Sequence, residues 1–82
     1  MDRLYAMTIF SRVARLRSFA AAARELHVST TLVSRQVAKL EAHLGVRLLQ
    51  RTTRQLALTD VGNVYLQRCE QILSDVDEVE DA

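Results

Sequence analysis

A short run of hydrogen-bonding side chains in this sequence has the chemistry needed to contact a nucleic acid. Its hydroxyl, amide, guanidinium and ammonium groups can donate to phosphate oxygens and base edges, so the run predicts a DNA-binding surface. No acid follows until Glu41, whereas a helix face that meets only solvent normally mixes acids with bases. The residues of the run are Ser29, Thr30, Thr31, Ser34, Arg35, Gln36 and Lys39.

Two helices separated by a tight turn are predicted to position this run. Ser18 can cap the first helix, Phe19 to Leu26, which is rich in alanine. Ser29 can cap the second, Thr30 to Leu44, which Gly45 would end in the left-handed conformation. Two helices joined by so few residues cross steeply, as in a helix-turn-helix. An apolar stripe on the second helix would face the interior; its members are Leu32, Val33, Val37, Leu40 and Leu44.

A helix is also predicted to precede this pair, from about Asp2 to Arg15. Apolar residues recur there at spacings of three and four, which indicates a face that packs against other helices. These residues are Leu4, Met7, Phe10, Val13 and Ala14.

A two-stranded hairpin is predicted after the second helix of the pair. Short apolar stretches flank the polar segment 50–55, and a hairpin this small has to pack on the helices to be stable. Its tip would carry Arg51, Thr53 and Arg54, which could reach phosphates or a minor groove as a wing. An ordinary charged turn is the alternative.

The last segment is predicted to be a long helix that pairs with another chain. Thr59 can cap it, and its acidic residues would keep the distal half in solvent. Residues along it step by four, three, four and three, which is typical of a coiled-coil seam. A frayed linker with accidental periodicity is the alternative. The seam residues are Tyr65, Cys69, Ile72, Val76 and Val79.

Basic and acidic residues are concentrated in different parts of the chain. Residues 1–58 hold ten arginines and lysines against three acids, which gives +7, and residues 59–82 hold one arginine against seven acids, which gives −6. We therefore expect a mostly α-helical protein in which a winged helix-turn-helix, residues 1–58, binds a polyanion and the helix 59–82 dimerises.

Composition limits the class of protein further. With 82 residues, no proline and one cysteine, the chain fits a single small helical domain without a disulfide framework. It has no transmembrane-length apolar run and no signal peptide pattern at Met1, so we expect a cytoplasmic protein.

The succession of motifs resembles the DNA-binding region of LysR-type transcriptional regulators. The resemblance rests on Leu4-x-x-Met7-x-x-Phe10-x-x-Val13, Ser18-Phe19-x-Ala21-Ala22-Ala23-x-x-Leu26, Val33-Ser34-Arg35-Gln36-Val37-x-x-Leu40-Glu41-x-x-Leu44-Gly45, Leu48-Leu49-x-Arg51-Thr52-x-Arg54 and Leu58-Thr59-x-x-Gly62. It implies a bacterial, homodimeric regulator whose fourth helix pairs antiparallel with its partner's helix. It also implies a pseudo-palindromic operator, a possible tetramer in the full-length protein, and a small-molecule effector bound only by a C-terminal domain outside these 82 residues.

Two positions depart from the pattern of that family. Thr30-Thr31 stands where the family often has Gln-Pro, so threonine hydroxyls or methyl groups would meet the bases in place of a glutamine. Arg17 stands where a glycine commonly precedes Ser18, so the turn after the first helix could have a different shape.

Other classes of function have weaker support. A protein-interaction module, with the winged body as a scaffold for the coiled coil, is the principal alternative. A metal-sensing repressor would have to use His27, His43 and Cys69, none of which are at ligand spacing. We expect neither a cofactor nor an enzymatic activity, because the sequence has no paired-carboxylate cleft, glycine-rich phosphate loop or Ser/His/Asp arrangement.

Overall fold

The order of elements along the chain is the one that the sequence predicts. The computed structural model describes residues 1–52 and 55–81, which form a winged helix-turn-helix body followed by a long helix. In chain order the elements are α1 (Arg3–Leu16), α2 (Phe19–Leu26), α3 (Thr30–Leu44), β1 (Leu49–Arg51), β2 (Leu56–Leu58) and α4 (Asp60–Asp81). The predicted fold class is confirmed, and the predicted ends of the first three helices are correct to within one residue. The predicted end of the last helix, at residue 82, lies outside the described residues.

Side chains at the N-termini of the first three helices satisfy free backbone N–H groups. Asp2 Oδ1 accepts from the N–H of Tyr5 at 3.0 Å. Ser18 Oγ accepts from Ala21 N–H and Ser29 Oγ from Leu32 N–H, each at 3.0 Å. Each such cap stabilises a helix by about 1 kcal/mol, so the predicted starts of α2 and α3 rest on local hydrogen bonds.

The same three helices end at residues in the left-handed conformation. Gly45 does so as predicted, with φ 69°. Arg17 (φ 54°) and His27 (φ 58°) end α1 and α2 in the same way, although neither is glycine. Arg17 thus takes up the conformation for which glycine is the usual residue, and the turn into α2 stays short.

The core lies around α1, which packs against α2, α3 and α4. Phe10 and Ile9 of α1 are fully buried, as are Val33 and Val37 of α3. The predicted face of α1 is mostly buried, but Leu4 at its start is 46% exposed. Ala6 and Ile9 are buried although they are outside the predicted stripe, because α1 is covered on more than one side.

The hairpin pairs β1 with β2 in antiparallel register and packs on the helices. Leu49 pairs with Leu58, and Arg51 pairs with Leu56. Leu49 is buried, and Leu56 and Leu58 pack against the core. Arg51 therefore lies in a strand, which corrects its predicted place at the tip. The other two predicted tip residues, Thr53 and Arg54, lie outside the described residues.

The start of α4 is fixed to the segment that precedes β1. Thr59 Oγ1 accepts from Gly62 N–H at 2.9 Å, as the predicted cap requires. The Thr59 N–H donates to the Leu48 carbonyl at 3.0 Å. A Cβ on Gly62 would lie 2.0 Å from that same carbonyl oxygen, so only glycine permits this approach.

The first half of α4 packs on its own body. Cys69 is fully buried, Leu66 is 3% exposed, and the ring of Tyr65 lies 5.6 Å from that of Phe10. Burial raises the pKa of Tyr65 to about 12, with the neighbouring Cys69 adding to the shift. Cys69 was predicted to face another chain; the structure instead buries it within its own body, because periodicity does not reveal which surface covers a stripe. Tyr65, predicted for the same seam, is only half-buried, so its contact with another chain stays a prediction.

An ion pair also joins α1 to α4. The Arg15 guanidinium donates from Nε to Glu70 Oε2 at 2.6 Å and from Nη2 to Oε1. The hydrogen bond from Arg15 lowers the pKa of Glu70. None of the helices among residues 1–52 and 55–81 combines the length and apolarity needed to cross a membrane.

Replacing Gly62 with alanine should destabilise the protein, because the new methyl group would collide with a backbone carbonyl. We expect a loss of about 1–3 kcal/mol in the free energy of unfolding, despite the higher helix propensity of alanine. Urea denaturation at matched protein concentration measures the change. Asn63→Ala, at the exposed next position, is the control and should stay within about 0.5 kcal/mol of the native chain. A Gly62→Ala protein as stable as the native one would contradict the close packing of α4 on Leu48.

Candidate nucleic-acid interface

The inner face of α3 is buried in the core. Val33 and Val37 are fully buried and Leu40 is 1% exposed. Leu32 packs partly against the core, whereas Leu44, at the end of the predicted stripe, is 37% exposed. Because these apolar residues fix which side of α3 faces inward, the opposite side is presented to solvent.

The predicted contact residues lie on that opposite side or at the helix start. Thr30, Thr31, Arg35 and Lys39 are exposed, and Ser34 and Gln36 are half-buried. Ser29 is exposed as well, but its hydroxyl oxygen already accepts the N–H of Leu32. The structure therefore brings six predicted donors to one accessible surface, and Ser29, at the start of α3, also caps the helix.

The described residues form no ion pair with the positive charges of this surface. Among residues 1–52 and 55–81, the ion pairs join Arg12 to Glu25, Arg15 to Glu70 and Arg47 to Glu41. Neither Arg35 nor Lys39 takes part in them. Two cations without acidic partners, on a helix face without acids, attract a polyanion.

Arg51 of the wing lies beside the start of α2. Its guanidinium carbon is 4.8 Å from the centre of the Phe19 ring, which is within the range of a cation–π contact. Phe19 in turn packs against the core, so it restricts where an otherwise exposed arginine can point. The sequence did not reveal this contact, because the two residues are far apart along the chain.

Glu41 is a further residue whose place the sequence did not reveal. It is 8% exposed, and its Oε2 accepts from the backbone N–H of Leu48 at 2.8 Å and of Leu49 at 3.2 Å. Arg47 Nη1 lies 3.5 Å from the other carboxylate oxygen. The last turn of α3 is thereby joined to the start of the hairpin.

An apolar groove on another side of the body contains part of the predicted dimer seam. Ile72 is 45% exposed, Val79 is 76% exposed and Val76 is half-buried. Ile72 lines a groove of about 310 Å³ between α1, α3 and α4, and it also begins a shallow, open groove along the exposed face of α4. The residues of the first groove are Arg3, Leu4, Met7, Leu40, His43, Leu44, Tyr65 and Ile72.

The three residues considered for a metal have separate structural positions. His27 ends α2, His43 lines the groove, and Cys69 is buried. Burial raises the pKa of the Cys69 thiol, which disfavours the thiolate that binds metals. Within the part of the chain that the structure describes, no three His, Cys, Asp or Glu side chains are grouped so as to hold a metal ion.

Comparison with known proteins places the chain among bacterial regulators. A family model described as "Bacterial regulatory helix-turn-helix protein, lysR family" matches residues 4–63. The chain is 44% identical over 79 residues to the HTH-type transcriptional activator AaeR of Escherichia coli, which covers 96% of this chain and 26% of that protein. The chain spans about a quarter of the length of the curated relatives that it matches.

Two solved structures that contain DNA are similar over almost the whole chain. The complex of BenM_DBD with catB site 1 DNA matches with a TM-score of 0.93 and 33% identity, covering 99% of this chain and 89% of that one. The complex of CbnR_DBD with DNA matches with a TM-score of 0.90 and 38% identity, covering 99% of this chain and 92% of that one.

Proposed function

The chain belongs to the lysR family of bacterial regulatory helix-turn-helix proteins, and on that premise we propose that it binds double-stranded DNA sequence-specifically as part of a transcriptional regulator. The observation that carries the proposal is the outer face of α3, where Arg35 and Lys39 have no acidic partner among the described residues. The complexes of similar chains with DNA support the same function.

In the proposed complex α3 lies in the major groove. Its N-terminal side chains would reach base edges, as the second helix of a helix-turn-helix does, while α2 would cross the sugar-phosphate backbone. Arg35 can pair with guanine O6 and N7 through two hydrogen bonds, and threonine can contact the thymine methyl group. Arg51 of β1 lies over Phe19, the first residue of α2, which would place it beside a phosphate.

We also propose that two copies pair through α4. The groove between α1, α3 and α4 is apolar, and the distal half of α4 carries an exposed apolar edge. Acids flank that edge at Asp75 and Glu80, and Arg3 lies at the groove. The distal half of one α4 therefore complements the groove of a second copy in both apolarity and charge.

Such a dimer would present two recognition helices to one side of a duplex. Two copies related by two-fold symmetry read half-sites separated by about one or two helical turns, each of about 34 Å. If the dimer contacts roughly eight phosphates, the logarithm of the binding constant should fall with the logarithm of salt concentration at a slope near −7.

Arg35→Ala should weaken binding to a duplex selected from a random pool by about 1–3 kcal/mol, because a bidentate contact to guanine would be lost. On an unrelated duplex the loss should be smaller, since that base contact is missing there. Fluorescence anisotropy at fixed salt measures both affinities. Arg68→Ala, which removes the same charge from exposed α4, is the matched control and should change neither affinity appreciably.

The same affinities distinguish a base contact of Arg35 from a phosphate contact, and DNA binding from a protein-interaction function. Equal weakening on every duplex would assign Arg35 to a phosphate in place of a base. Absence of any binding by the native chain to selected or random duplex at low salt would overturn DNA binding. It would favour the protein-interaction module instead.

Replacing both Ile72 and Val76 with aspartate should produce monomers. Each apolar side chain that a partner would bury contributes about 1.5–3 kcal/mol, so dimer affinity should fall by at least roughly 100-fold. Sedimentation equilibrium measures the change. The control variant Gln71→Asp with Ser74→Asp adds the same charge at exposed positions outside both grooves, and should stay dimeric. A dimer that persists with both Ile72 and Val76 replaced would refute pairing through this edge.

A further inference from the structure

We propose that Glu41 is a positioning residue for the wing: its carboxylate sets the start of β1 relative to the recognition helix, so that Arg51 and α3 meet the same duplex together. The inference rests on the proposed DNA binding, and it assigns a role to a side chain that would touch no DNA.

The carboxylate of Glu41 is used by backbone groups of the segment that leads into the wing. Oε2 accepts from the N–H of Leu48 at 2.8 Å and from that of Leu49 at 3.2 Å. The side chain is 9% exposed, and Arg47 Nη1 lies 3.5 Å from Oε1. Burying a carboxylate without hydrogen-bond partners costs free energy. Glu41 therefore favours the chain direction that keeps both N–H groups within hydrogen-bond distance, and this restrains how the chain leaves α3.

The backbone of Glu41 holds the same connection. Its carbonyl accepts from Gly45 N–H at 2.8 Å and from Val46 N–H at 3.3 Å, which ends α3. One residue on the last turn of the recognition helix therefore contacts the connecting segment at both its beginning and its end. Val37 and Leu40 bury that part of α3 in the core. Glu41 therefore restrains the connecting segment relative to a rigid helix.

The opposite side of the segment is held by the start of α4. Thr59 Oγ1 donates to the Arg47 carbonyl at 2.6 Å, and Thr59 N–H donates to the Leu48 carbonyl at 3.0 Å. The N–H groups of the segment point to Glu41 and its carbonyl groups to Thr59. Leu48 and Leu49 are also buried, so the backbone there has little freedom to rotate.

Arg51 follows this fixed segment by two residues. It lies in β1 over the Phe19 ring, at the start of the helix that crosses the DNA backbone in this motif. An arginine so placed can contact a phosphate only while the strand keeps its angle to α3. Loss of the Glu41 carboxylate should therefore remove the contribution of Arg51 to DNA binding and spare that of Arg35.

A purely structural role for Glu41 predicts something different. A less stable but correctly shaped protein would bind with the same contacts, so Arg51→Ala would weaken binding equally with or without Glu41. The two roles are separated by a double-mutant cycle, which isolates the coupling between residues.

The cycle uses Glu41→Gln, which keeps the size of the side chain but removes its charge and one acceptor. Affinities of the whole chain for a selected duplex are measured at a temperature where circular dichroism shows every variant folded. We expect Arg51→Ala to weaken binding about tenfold in the native background and less than twofold in the Glu41→Gln background. Arg35→Ala, the matched control on α3, should weaken binding equally in both.

A structural readout accompanies the affinities. In the free protein, Glu41→Gln should shift the amide proton resonances of Leu48 and Leu49 upfield, since a weaker acceptor replaces the carboxylate, and leave those of Thr31 and Arg35 unchanged. If Glu41→Gln does not fold, Glu41→Asp, which keeps the charge but is one methylene shorter, takes its place in the cycle with the same expectation.

Two results would overturn the proposal while leaving DNA binding intact. One is an undiminished effect of Arg51→Ala when Glu41 is replaced; the other is no effect of Arg51→Ala in the native background. Failure of the native chain to bind any duplex would instead overturn the proposed function itself, so the two failures are distinguishable.

Discussion

Burial of one side of α3 against the rest of the body is the interaction on which the structure depends. Val33 and Val37 are completely inside and Leu40 is almost so, and α1 provides much of the surface that covers them. Because a helix has a fixed periodicity, anchoring these positions also fixes the opposite side, where Arg35 and Lys39 face solvent. The accessible donor surface is therefore a consequence of core packing. A shift of the apolar stripe by one residue would rotate the donor side chains out of their solvent-facing position.

Polar contacts attach the remaining elements to this body. A chain of 82 residues has a small core, and the wing and α4 gain their orientation from specific hydrogen bonds as well as from apolar burial. Glu41 holds the segment before β1, Thr59 holds the same segment from α4, and Arg15 pairs with Glu70 across α1 and α4. Beyond this attachment, the distal half of α4 carries acids and an exposed apolar edge. The basic body and the acidic helix thus present separate surfaces, one for the proposed contact with DNA and one for the proposed pairing of two copies.

How much the sequence could predict depended on the distance over which each interaction acts. The starts of α2 and α3 were correct because Ser18 and Ser29 bond to amides three residues away. The coiled-coil interpretation of α4 was wrong for Cys69, which is buried within its own body, since a stripe of spacing three and four looks the same whether the same chain or another one covers it. The hydrogen bonds of Glu41 were not visible at all, because its partners are backbone amides seven and eight residues on, and every residue type except proline offers such an amide.

We infer that the outward side of α3, residues 30–39, is the surface that meets DNA. The most direct test follows the amide resonances of an isotopically labelled chain during titration with a short duplex recovered by selection. We expect the largest changes at residues 30–39 and in β1, and little change at residues 75–81 of α4. Changes confined to α4, with the outward side of α3 unaffected at saturation, would contradict this inference.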